Sequence, residues 1–154
     1  MVQDNRLENL NWSQQRRTCM TQAARLMGAD DEAASNFAMR GATLIEGFSL
    51  HLIAMAQGDG AWAASMRLAR PDNVSEAAWS EALLVANGQT MMMEDWAFGL
   101  EGDGDAVLLM LLPEELSDER LLAARLSGMV TMCKSVVEGA EAIRSMSSSV
   151  GAEA

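Results

Sequence analysis

The chain has 154 residues, of which about half are apolar, and it carries a formal net charge of −11. This length favours a single domain with a hydrophobic core, and the apolar content excludes an intrinsically disordered chain. The negative charge argues against nucleic acid and anionic membranes as partners, because both would repel the protein. Neither a signal peptide nor a membrane-spanning stretch can be recognised, so the sequence predicts a cytoplasmic protein with no membrane insertion.

The first half of the chain predicts one helix followed by three strands. Residues 10–28 repeat apolar side chains at helical spacing, and Gly28 can take the left-handed conformation that ends a helix. A loop is expected over residues 29–35. Alternation of apolar and polar residues then predicts strands over residues 36–47, 48–56 and 61–69.

The second half predicts a helix, two strands and a long final helix. Ser75 and Ser117 are suitable N-caps for helices that begin at these positions. The elements are a helix over residues 75–88, strands over 90–101 and 105–113, and a helix over 117–146. The order α-β-β-β-α-β-β-α predicts one α+β domain with a twisted antiparallel sheet and helices packed on it. This domain is expected over residues 1–145, followed by a disordered tail over 146–154.

The sequence Gly-Asp-Gly occurs at residues 58–60 and again at 102–104, and it suggests either part of a calcium loop or a turn. A calcium loop of the EF-hand type needs oxygen ligands at several odd positions and a glutamate at the twelfth. In both copies the later odd positions are mostly apolar strand residues, and no helix precedes the loop. Asp-Gly is a strong hairpin signal, so the sequence predicts two turns and no metal site.

The strand at 105–113 is apolar on both faces, which is unusual for an antiparallel sheet with one solvated side. One face can pack on the chain's own helices, and the other needs a different partner. The simplest partner is a second copy of the chain, so a homodimer is predicted around the second helix and the last two strands. The two faces of the strand carry Val107, Leu109 and Leu111 on one side and Leu108, Met110 and Leu112 on the other.

Groups able to perform catalysis are few. His51 is the single histidine, and its strand parity predicts that it faces solvent or a partner. Cys19 and Cys133 lie in apolar helical patterns, which predicts buried free thiols in a reducing compartment. No nucleophile motif, phosphate-binding loop or dinucleotide fingerprint occurs in the sequence. The sequence therefore predicts a protein that is not an enzyme and that holds neither a cofactor nor a metal.

Methionine is abundant, with thirteen residues in the chain. Its side chain is flexible and polarisable, and it recurs on surfaces that accept varied apolar partners. Several of these methionines fall in or beside predicted strands, including the run at residues 91–93. An acidic domain of this kind favours the binding of polypeptide segments that are apolar and, given the charge, basic.

The second half of the sequence resembles class I type III secretion chaperones, the Tir chaperone (CesT-like) family. The residues that carry the resemblance are a helix ending in Leu-Leu-Val-Ala-Asn, a strand with an aromatic residue and a glycine, an Asp-Gly turn, an apolar strand ending in Leu-Pro, and a long last helix. They occupy residues 83–87, 96–99, 103–104, 107–113 and 117–143.

The resemblance implies a homodimer in the cytoplasm of a Gram-negative bacterium. Such chaperones hold a non-globular N-terminal segment of a secreted effector, keep it secretion-competent and can present it to the export ATPase. Strands of the effector add to the sheet edge, and apolar side chains enter surface patches. The dimer interface is then expected at Trp79, Leu83, Met91, Met93, Leu108 and Met110. Effector-binding residues are expected at Met20, Phe37, Met39, Leu44 and Met55.

Two other interpretations of the sequence stay open. A regulatory adaptor of the secretion system would bind a folded partner and could share the same fold. A small-molecule-binding or enzymatic α+β domain would hold a pocket with convergent polar groups under its sheet.

Overall fold

The computed structural model describes residues 11–93 and 95–152. In these two ranges the chain forms four α-helices, five β-strands and a short 3-10 helix. The elements in chain order are α1 Gln14–Leu26, α2 Asp31–Arg40, β1 Ala42–Ile45, β2 Phe48–Ala54, β3 Trp62–Leu68, α3 Glu76–Thr90, the 3-10 helix Met91–Met93, β4 Trp96–Leu100, β5 Ala106–Leu112 and α4 Glu119–Ala152.

The five strands form one antiparallel sheet in the order β1-β2-β3-β5-β4. Side chains on one side of the sheet are buried and those on the other are largely exposed. In β2, for example, Leu50 and Leu52 are buried, whereas His51 and Ile53 are exposed. The helices pack on the buried side, and we call the opposite side the outer face. The predicted α+β class and antiparallel sheet are confirmed.

The core lies between the buried side of the sheet and the helices. The long helix α4 packs against α1 and α3. One apolar stripe of α4 is buried, and it comprises Leu122, Leu126, Met129, Cys133, Val136 and Ala140. In the part of the chain that the structure describes, no helix is long and apolar enough to cross a lipid bilayer.

Helix α2 is the main departure from the predicted order of elements. The Asp30 side chain caps its first turn, and Gly41 ends it in the left-handed conformation at φ 64°. Residues 31–40 were predicted as a loop and the start of a strand, and this prediction is wrong. Phe37 and Met39 looked like alternate positions of a strand, but they lie on different sides of a helix, one buried and the other exposed.

Two further boundaries differ from the prediction. Helix α3 continues past Gly88 to Thr90, and Met91–Met93 form a 3-10 helix instead of the start of a strand. Helix α4 runs to Ala152, so residues 146–152, predicted as a disordered tail, are helical.

Candidate binding surfaces

The first Gly-Asp-Gly turn is held by a buried arginine. Arg16 of α1 is 3% exposed and donates hydrogen bonds to the carbonyl oxygens of Asp59, Gly60 and Glu114 at 2.8 to 3.1 Å. Its guanidinium lies 4.1 Å from the ring centroid of Trp62. These contacts join the start of α1 to the β2–β3 turn and to the loop that follows β5.

The second Gly-Asp-Gly turn also binds an arginine. Arg67, on the outer side of β3, pairs with Glu101 at 3.1 Å, with Asp105 at 3.0 Å and with Asp103. Gly104 takes φ 89°, as a tight turn requires. Among the described residues, no cluster of three or more His, Cys, Asp or Glu side chains is placed to hold a metal ion. Both copies are therefore turns that anchor a cation from the chain itself.

The ionisation of the Asp59 carboxyl group makes the free energy of unfolding depend on pH. Burial raises its pKa, but hydrogen bonds from the hydroxyl and backbone N–H of Ser13, together with the charge of Arg16, outweigh burial and lower the pKa. A lowered pKa in the folded state stabilises the protein above the unfolded pKa of about 3.9, and this contribution is lost as the pH falls through the folded pKa.

We therefore expect the free energy of unfolding to fall more steeply between about pH 5 and pH 3 in the wild type than in Asp59→Asn. Asparagine keeps a side-chain acceptor for Ser13 but does not titrate. Urea titrations at several pH values in this range measure both slopes. Parallel slopes would contradict this role of Asp59.

The remaining polar candidates are placed as the sequence predicts. Cys19 and Cys133 are free and buried. Burial raises the pKa of Cys19 to about 11, with smaller contributions from Glu119 and Asp118, and burial raises the pKa of Cys133 to about 12. Both groups are thus protonated thiols at neutral pH. His51 is exposed on the outer face.

The predicted dimer-interface residues are divided between core and surface. Met91 is 80% exposed, and the side chain of Met93 lies outside the described part of the structure. The others are buried in the core of the single chain, where a partner of the folded protein cannot reach them; they are Trp79, Leu83, Leu108 and Met110. The sequence does not distinguish the core faces of α3 and β5 from their exposed faces, because both elements are apolar on more than one face.

The predicted effector-binding residues are divided in a similar way. Met20 and Phe37 belong to the core and are not available to a partner. The three others are largely exposed, and they lie on α2, on β1 and just after β2; they are Met39, Leu44 and Met55.

The outward side of α3 carries an apolar surface that the sequence reasoning did not select. Leu84 and Val85 are exposed on the helix, and Met91 and Met92 continue the surface into the 3-10 helix, at 80% and 87% exposure. The spacing of these four residues places them on one stripe, which we call the α3 ridge. In the sequence, the α3 ridge is visible as a second apolar stripe of this helix, next to the stripe that is buried.

The outer face carries a concave apolar surface of about 400 Å³, which we call the outer pocket. Leu109 and Leu111 of β5 are about half exposed there. Of the described residues that line it, Asp95 is the one with a charged side chain. The full lining comprises Ile53, Met55, Ala63, Asp95, Trp96, Ala97, Leu109, Met110 and Leu111.

A second depression, the β1 groove, lies between β1 and the helices α1 and α2. It measures about 250 Å³, and apolar side chains such as Met27, Phe37 and Leu44 line it together with the polar Thr43 and Glu46. The groove runs beside β1, which is one of the two edges of the sheet. Leu44 is 72% exposed at this edge.

No protein-family model matches the sequence, and no curated protein matches it. A solved structure with a similar fold is that of the HopA1–SchA chaperone–effector complex. One chain of that complex aligns with a TM-score of 0.57 and 15% identity, over 86% of this chain and 97% of that chain. At this identity the likeness is one of fold. The protein therefore has a fold that is also found in a complex between a chaperone and its effector.

Proposed function

We propose that the protein is a cytoplasmic chaperone that binds the N-terminal, non-globular segment of one or more type III secreted effectors. It keeps such effectors soluble and secretion-competent and can present them to the secretion ATPase. The family resemblance of the second half of the sequence and the fold shared with the HopA1–SchA complex support the proposal. The observation that carries it is a groove lined by both apolar and polar side chains beside an exposed edge strand, a combination suited to an extended polypeptide.

The effector segment is proposed to bind along β1. An extended chain can pair with the free side of this edge strand through its backbone, and an apolar side chain can enter the β1 groove. Exposed Met39 and Leu44 flank this route. The net charge of −11 favours segments that also carry basic residues, because opposite charge speeds the encounter and selects partners.

A homodimer is part of the same proposal, with faces that differ from the predicted ones. The α3 ridge presents exposed apolar side chains, and the outer pocket is a concave apolar surface. In a two-fold dimer the ridge of each copy can occupy the pocket of the other, so that the two contacts are equivalent. This arrangement covers the exposed side of β5, whose apolar residues on both faces first indicated a partner.

The alternative of a small-molecule site has less support. The outer pocket is open, and its lining is apolar apart from Asp95. A ligand site of the usual kind would be more enclosed and would bring several polar groups together.

The proposal is tested by recovering the tagged protein from its source bacterium under secretion-inducing conditions and identifying bound proteins by mass spectrometry. We expect larger proteins bound through segments near their N-termini. Recovery of a folded cytoplasmic partner bound through a structured domain would instead support a regulatory adaptor.

A single substitution at the β1 edge should reduce this recovery. In Leu44→Asp the exposed apolar contact is lost and a carboxylate faces the apolar part of the bound segment, so we expect recovery to fall by roughly tenfold or more. Leu121→Asp is the matched control, because Leu121 is also exposed but lies on α4. Equal recovery with both variants would contradict binding along β1.

A further inference from the structure

The two edges of the sheet differ in the hydrogen bonding of their outward-pointing backbone N–H and C=O groups. In β4, the carbonyl of Asp95 accepts from Leu111 and the N–H of Glu101 donates to the carbonyl of Asp105, so these positions face β5. Backbone groups alternate along an antiparallel strand. The N–H and C=O groups at positions 96, 98 and 100 of β4 therefore point away from the sheet.

The central pair of these outward groups is already bonded. The Asn87 side chain accepts a hydrogen bond from the N–H of Phe98 at 2.7 Å and donates one to the carbonyl of Phe98 at 3.0 Å. These are the two bonds that a residue of an added strand would make at this position. Helix α3, which carries Asn87, also packs along β4.

At the opposite edge, the described residues provide no such closure. The carbonyl of Gly41 accepts from the N–H of Leu52 at 2.7 Å, so Gly41 faces β2 and the backbone groups of Ala42 and Leu44 point outward. Among the described residues, no hydrogen bond is made to these outward groups of Ala42 and Leu44. An exposed edge strand with unpaired backbone groups is a template for a further strand.

We propose that Asn87 determines which edge of the sheet accepts an added strand, because its side chain occupies the outward backbone groups of Phe98 in β4, whereas the outward groups of Ala42 and Leu44 in β1 have no partner among the described residues. The inference rests on the proposed function in one respect, that the added strand belongs to an effector. Asn87 acts as a positioning residue, since it touches the sheet and not the bound segment. It also gives a physical role to the asparagine that ends the Leu-Leu-Val-Ala-Asn stretch of α3.

The test uses the full chain and a synthetic peptide that alternates valine and lysine, with blocked termini. This peptide is extended, prone to form strands and opposite in charge to the protein. Proline at an outward position of an edge strand removes the N–H that an added strand needs while leaving the pairing within the sheet intact. Leu44→Pro and Leu100→Pro therefore block the two edges by the same chemical change, at side chains that are both exposed.

We expect peptide affinity to fall by roughly tenfold or more in Leu44→Pro and to stay unchanged in Leu100→Pro. Adding Asn87→Leu to Leu44→Pro should restore binding, because the outward N–H and C=O of Phe98 are then unpaired, and adding Leu100→Pro as a third change should remove it again. Gln89→Leu, an exposed amide on the same helix, is the matched control and should restore nothing. Faster hydrogen exchange of the Phe98 amide in Asn87→Leu confirms that the bond has been removed, and circular dichroism confirms folding of each variant.

Three results would overturn the inference. They are equal losses of peptide affinity in the two proline variants, no restoration of peptide binding by Asn87→Leu, and no binding of the peptide to any variant. Because the test needs no effector, its outcome is separate from that of the recovery experiment. If effectors are recovered but the proline variants behave alike, the chaperone function stands and the role of Asn87 fails.

Discussion

Replacement of Arg16 by methionine should lower the free energy of unfolding by about 3 to 5 kcal/mol. The carbonyl oxygens of Asp59, Gly60 and Glu114 would each lose a donor, and the cation stacked on Trp62 would be lost. Methionine has a similar length, so the change removes hydrogen bonds more than it removes volume. Urea unfolding followed by tryptophan fluorescence measures the effect, because Trp62 is part of the cluster.

A matched control for this prediction lies on the same helix. Arg25 pairs with Asp31 at 3.1 Å, but the two side chains are 45% and 90% exposed, and exposed pairs contribute less than about 1 kcal/mol. Arg25→Met should therefore change stability little. Similar losses in the two variants would mean that the buried hydrogen bonds of Arg16 contribute no more than a surface charge does.

The second large effect concerns the proposed dimer. Leu84→Glu on the α3 ridge and Leu109→Glu in the outer pocket should each raise the dimer dissociation constant by roughly a hundredfold or more, because each places a carboxylate in an apolar interface. Sedimentation velocity over a range of concentrations measures the constant, and the unfolding free energy of each variant shows whether the monomer is intact.

The pair of variants also tests the geometry of the dimer. If the ridge of one copy occupies the pocket of the other, the effects of Leu84→Glu and Leu109→Glu should be strongly non-additive in a double-mutant cycle. Leu121→Glu, at an exposed position of α4, serves as the control and should leave association unchanged. Additive effects would place the two residues in separate contacts and exclude the ridge-in-pocket arrangement.

Periodicity in the sequence predicts much of this fold. The strands β2, β3 and β5 and the helices α3 and α4 lie where their apolar spacing and their caps indicate. Helix α2 was missed because it is short and because Phe37 and Met39, two residues apart, also fit the alternation of a strand. In the structure, the Asp30 cap and the left-handed Gly41 define the two ends of the helix. The sequence-based prediction gave the alternation more weight than these two local signals.

The candidate surfaces were harder to predict from the sequence than the fold was. Periodicity identifies a buried face only where the opposite face is polar. In β5 both sets of alternating residues are apolar, so the sequence does not tell whether Leu108 or Leu109 points to the core. The same ambiguity applies to Leu83 and Leu84 in α3, and in both elements the neighbouring residue is the exposed one. The role of Asn87 depends on packing between α3 and β4, which no local pattern encodes.

The position of β3 in the sheet has a consequence for how the chain folds during synthesis. β3 pairs with β2 across a short turn, but its other neighbour, β5, follows several dozen residues later, after α3 and β4. At typical rates of translation of about 5 to 20 residues per second, the far side of β3 stays unpaired for a few seconds on the ribosome. During this time the β2–β3 hairpin is open to mispairing along β3, and formation of the long-range β3–β5 contact is expected to limit the rate of folding.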